Sequence, residues 1–157
     1  MLLKGVEDMV EVYYNSRQFD RTISKIMERY ASPFLFFKEL ADFYDREGLA
    51  GIGHARIALY EILRRFLSEE KGWELKEYEQ CMVLDLYARE NLKSRPAFAP
   101  DLSPYKEQLK IMTREYGRQV HVEVLERERR PVYVMFDYRT RDPLTGDAVM
   151  QILEEPE

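Results

Sequence analysis

Val6-Glu7-Asp8-Met9-Val10-Glu11-Val12-Tyr13-Tyr14-Asn15-Ser16-Arg17-Gln18-Phe19 sets the pattern that the rest of the chain follows. Val6, Met9, Val10 and Tyr13 fall at i, i+3, i+4 and i+7, which is one face of a helix, and Glu7, Asp8 and Glu11 take the wet side. Asn15-Ser16 breaks the period and Phe19 restarts it. The spacing predicts a helix from about Leu3 to Tyr14, a tight turn, and a second helix from about Gln18 to Tyr30. Phe19, Ile23, Ile26, Met27 and Tyr30 share one face of the second helix.

Outward from this stretch the same logic continues. Ser32-Pro33 predicts a helix start: Ser caps free N–H groups, and Pro suits the first helical position because its missing N–H would be unpaired there. That helix runs to about Glu47, with Gly48 as its C-cap. Its apolar residues, Phe34 to Phe37 among them, cover more than one face near the start, as in a helix sandwiched between neighbours. Leu49-Ala50-Gly51-Ile52-Gly53 reads as a flexible connector. A fourth helix is expected over about His54 to Glu70, and a fifth over Trp73 to Lys93. Arg95 to Pro100 reads as a loop. Ser103-Pro104 repeats the capping pattern and opens a sixth helix, closed by Gly117.

After Gly117 the period changes from 3.6 to 2. Val120, Val122 and Val124 alternate with His121 and Glu123 as in a strand. Pro131 to Tyr138 reads as a second strand. Asp142-Pro143-Leu144-Thr145-Gly146-Asp147 is a turn, and Ala148 to Leu153 a third. The expectation is a mainly helical α+β domain spanning 1–157: about six helices over 1–117, then a small antiparallel sheet of two to three strands over 118–155, one face covered by the helices.

Composition limits what such a domain does. At 157 residues one domain is the prior, and 45% apolar content supplies a core. The net charge of −5, with both signs interspersed, argues against nucleic acid as partner, because phosphate contacts need clustered Lys and Arg. No apolar run reaches membrane-spanning length. The opening Met1-Leu2-Leu3-Lys4 lacks a signal-peptide core, and the single Cys81 excludes an internal disulfide framework, so the cytoplasm is expected.

No catalytic constellation is readable, and no metal site, since His54, His121 and Cys81 lie far apart in sequence. Cys81 reads as core. Gly48 to Arg56 is glycine-rich and precedes a helix, but lacks the preceding strand of a phosphate cradle, so an anion there is the minority reading. Asp85 lies among apolar residues with Arg89 four residues on, which predicts an intrahelical ion pair. The alternative is a polar site formed by Asp85, Glu90 and Asn91 with Arg56, Tyr60 and Glu61 of the preceding helix. Tyr13-Tyr14-Asn15 ends the opening helix. Consecutive Tyr point about 100° apart, so one can be core while the other faces out; core packing with a cap is the leading reading, and a ligand or partner contact by the exposed Tyr with Asn15 the alternative.

The opening stretch resembles that of the uncharacterised C-terminal domain of bacterial cobalamin-binding-type radical SAM proteins. Further pieces fit in order: Ser32-Pro33-Phe34 with Phe37; Arg56 with Tyr60-Glu61; Asp85-Leu86 with Glu90-Asn91 and Pro96; and Phe136-Asp137-Tyr138. That family usually has Gly where this chain has Arg17, so the turn there is expected to differ in detail. The resemblance implies that the chain is a fragment of a longer protein whose upstream cobalamin-binding and radical SAM domains are its partners. Those domains would use a 4Fe–4S cluster, S-adenosylmethionine and cobalamin; no cofactor and no catalytic residue are assigned to this chain. The role implied is that of a non-catalytic accessory domain that helps form or cover the substrate site, with an apolar and Tyr-bearing patch facing the barrel. The alternative is a stand-alone module binding a protein or a small anion.

Overall fold

The computed structural model describes residues 2–154. Among them are six α-helices followed by a three-stranded antiparallel sheet, in two compact units, Met1–Asp85 and Leu86–Glu157. None of these helices is long and apolar enough to cross a membrane.

In the first unit, α1 (Leu2–Val10) runs on into a π-helical segment, Glu11–Asn15. Arg17 then adopts φ 62°, the left-handed conformation that a glycine would take without strain. Next comes α2 (Asp20–Met27), followed by α3 (Pro33–Arg46), whose start is capped as its sequence predicts: Ser32 Oγ accepts from the Leu35 amide at 3.3 Å. Gly48, just past its end, has φ 69°. The first-turn pair Phe34 and Leu35 is exposed, so the expected sandwiching holds only from Phe36 onward.

The fourth helix, α4, is Arg56–Arg65, extended by a π-helical segment Phe66–Glu70; His54 lies before it, not in it. α5 is Lys76–Arg89, shorter at both ends than expected, so Trp73 and Asn91 lie outside it. Tyr13, Phe19, Phe36, Leu40, Phe43, Tyr60, Leu63 and Phe66 form the core of the first unit. α1 packs along α3, and a Cβ built on Gly5 would stand 3.3 Å from that of Ala41. A glycine at that crossing lets the two backbones approach closely.

The second unit holds the end of α5, then α6 (Lys106–Tyr116) and strands β1 (Val120–Leu125), β2 (Val132–Arg141) and β3 (Ala148–Leu153) in the order β1-β2-β3. Ser103-Pro104 forms a 3-10 turn rather than the cap of α6, and Asp101 accepts from the Ser103 amide at 3.0 Å and its hydroxyl at 2.6 Å. β1 pairs with β2 from Val120↔Asp137 to Leu125↔Val132. Val120, Val122, Val124, Tyr133 and Met135 face Met112 of α6. The opposite face is covered too, which corrects the one-sided expectation: the Tyr87 ring of α5 stacks on His121 at 3.6 Å, and the Tyr138 hydroxyl donates to the Tyr87 carbonyl at 2.6 Å.

Candidate functional site

The residues singled out from the sequence separate into three groups, with Arg56 apart from them. Tyr13, Tyr60 and Asp85 belong to one buried network in the first unit. The Phe19 ring stands between Tyr13, at 4.8 Å, and Tyr60, at 4.2 Å. The Tyr60 hydroxyl donates to the Gln18 carbonyl, fixing the chain just before α2. Asp85 then receives the start of that helix. Its carboxylate accepts from the Arg21 amide at 3.1 Å, the Thr22 amide at 3.0 Å, the Thr22 hydroxyl at 2.7 Å and the Arg21 guanidinium at 3.2 Å. The helix's own N-cap residue, Phe19, has no side-chain acceptor, so Asp85 of α5 does that work from a distance.

This replaces the expected pairing of Asp85 with Arg89. Arg89 instead lies 3.6 Å from Asp147. Burial raises the Asp85 carboxyl above its ordinary value, against the opposing pull of the Thr22 and Arg21 donors.

Tyr14 and Asn15 form the second group and are exposed: the Arg17 guanidinium lies 5.6 Å from the Tyr14 ring, and the Asn15 amide donates to Glu11 at 3.0 Å. Glu90 and Asn91 are exposed in the second unit, where the Glu90 carbonyl accepts from Tyr138. Arg56 opens α4.

The first unit holds a cleft of about 410 Å³ bounded by α1, α3 and the Leu49 to Gly53 loop. Its walls are apolar (Met9, Val12, Leu49, Leu59), and Asp8, Glu11 and Asp45 supply its charge. Tyr44 and His54 also line it, with their rings edge-to-face at 6.0 Å. The His54 ring holds the loop closed by bonding its Nε2 to the Leu49 carbonyl at 3.0 Å.

Behind the cleft, the Tyr44 and Tyr13 hydroxyls are 2.5 Å apart, and Tyr13 donates to the Leu59 carbonyl at 3.1 Å. Burial pushes the Tyr13 hydroxyl pKa well up, aided by Tyr44 and Tyr60, and burial raises that of Tyr44 also. Both therefore stay protonated near neutral pH.

The cleft carboxylates were not singled out as site residues, since wet-side Asp8 and Glu11 look like any solvated helix face. Their i, i+3 spacing on one face was the available signal.

A second buried polar cluster sits on the sheet. Glu123, 1% exposed, accepts from Arg95 at 2.7 and 2.5 Å and contacts His121 Nε2 at 2.5 Å. Burial alone would raise its carboxyl, but the bonds and charges of Arg95 and His121 overcome that and hold it below the ordinary value. Arg95 is anchored in turn by two bonds to the Pro100 carbonyl. Strand alternation marked Glu123 as one more residue opposite the valines and gave no sign of this pairing.

Among the described residues, no group of three or more His, Cys, Asp or Glu side chains is placed to hold a metal ion. Residues 1–132 match the model of a family described as protein of unknown function (DUF4080). No curated protein and no solved structure matches the chain.

Proposed function

We propose that this chain, which belongs to the DUF4080 family, is a non-catalytic accessory domain at the C-terminal end of a radical SAM enzyme, where it helps form or cover the substrate site. The motif resemblance running from Val6 to Tyr138 motivates the link to that enzyme class. The observation that carries the accessory role is the surface of the first unit. Leu3, Tyr14, Phe34, Leu35 and Ile52 keep between 44% and 64% of their area in solvent. Large exposed apolar side chains of this kind suit a surface that a further domain covers.

A 4Fe–4S cluster needs several thiolates, and this chain has one cysteine, so the cluster would be held by the parent's barrel. The partners are accordingly the upstream radical SAM and cobalamin-binding domains of the same polypeptide, and the setting is cytoplasmic.

The test is to read the gene upstream of the codon for Met1. An open frame encoding a CxxxCxxC segment supports the reading, and activity with and without this domain then measures its contribution. A stop codon and ribosome-binding site directly before Met1 overturn it. The alternative, a stand-alone binding module, is favoured by the cleft itself. An anion is the less suitable ligand there, because three carboxylates and neither Lys nor Arg line it.

A further inference from the structure

We propose that the cleft bounded by α1, α3 and the Leu49 to Gly53 loop is a binding site for a small organic cation, an amine carried on an apolar body. Two features define that ligand. The first is size: about 410 Å³ lies at the lower end of the range of small-molecule sites. The second is the distribution of polarity. Met9, Val12, Leu49 and Leu59 offer apolar contact, while Asp8, Glu11 and Asp45 line the cleft with negative charge. A cationic head is attracted by these carboxylates, Asp45 and Glu11 above all since Asp8 already pairs with Lys4, and an anion is opposed by them.

The chain's own donors already sit on two of the carboxylates: Lys4 Nζ is 3.2 Å from Asp8, and the Asn15 amide 3.0 Å from Glu11.

The test uses hexylammonium and hexanoate, which share an apolar body and differ in the sign of the head. Each is titrated into the full chain by calorimetry and by methyl NMR. Hexylammonium is expected to bind with one-to-one stoichiometry and to shift the Val12 and Leu59 methyl signals, with hexanoate binding far more weakly. Glu11→Gln combined with Asp45→Asn, both at exposed positions, is expected to weaken hexylammonium about tenfold while leaving the melting temperature near that of the parent. Equal binding of the two probes, an unchanged affinity in the double variant, shifts confined to the neighbourhood of Trp73, or no saturation by about 10 mM, weaker than any affinity the contacts imply, would each overturn the assignment.

Discussion

Replacing Asp85 with Ala tests the account of how α2 begins. The carboxylate serves the Arg21 and Thr22 amides, the positions an N-cap side chain normally serves. Losing such a cap costs about 0.5–2 kcal/mol. Thr22 is fully buried, so its hydroxyl is left without the acceptor it had, which adds about 1–3 kcal/mol. Arg21 adds little, because its side chain is 35% exposed and water takes over from the carboxylate. The sum is about 3 kcal/mol, a fall of about 6–12 °C in melting temperature for a chain of this length.

Urea and thermal unfolding followed by circular dichroism measure it. A double-mutant cycle with Thr22→Val isolates the side-chain bond, and a coupling of about 1 kcal/mol is expected. If Asp85→Ala unfolds within about 0.5 kcal/mol of the parent, the size of a neutral surface change, the carboxylate is not what holds the start of α2. A coupling near zero would likewise remove the Thr22 part of the argument.

Further outcomes follow from the other contacts. Arg17→Gly removes a left-handed non-glycine residue and is expected to stabilise by up to about 1 kcal/mol, read from the urea midpoint. Gly5→Leu forces a side chain into the 3.3 Å gap beside Ala41 and is expected to destabilise by about 1–3 kcal/mol in the same assay. Tyr13→Phe strips the Leu59 carbonyl of its donor and Tyr44 of its acceptor, at about 1–2 kcal/mol. Glu123 has a lowered carboxyl pKa, so folding favours its ionised form. Its contribution is therefore present above the unfolded value of about 4.3 and is lost as pH falls through the folded value. Melting temperatures of the parent and Glu123→Gln are expected to converge as the pH drops below that range; a constant gap would contradict the assignment.

What the sequence reveals is what local chemistry decides. Ser32-Pro33 caps α3 because acceptor and amide are three residues apart. Asp142 holds the last turn through the Leu144 and Thr145 amides, again within three residues. The switch in period after Gly117 marks the sheet because side-chain direction in a strand is local geometry.

Contacts between distant segments leave no such trace. Asp85 with Arg89 four residues on satisfied every local rule for an ion pair, yet its partners are 63 and 64 residues away. The helix ends moved for a related reason: Trp73 and His54 carry side chains that suit a helix, but packing and turn bonds take them elsewhere. Trp73 stacks on Tyr78 at 5.5 Å, and His54 ties to Leu49. The cleft was illegible because its walls come from four segments, each ordinary by itself.

Asp85 also sets an order of events during synthesis. Residues 20–27 leave the ribosome long before residue 85 does, so the nascent α2 begins without an acceptor for its first amides. A helix of eight residues is too short to persist alone in water. The N-terminal part of the chain therefore waits for α5 before it locks. Until then, the apolar face of Ile23 and Ile26 is left open to whatever else is in reach.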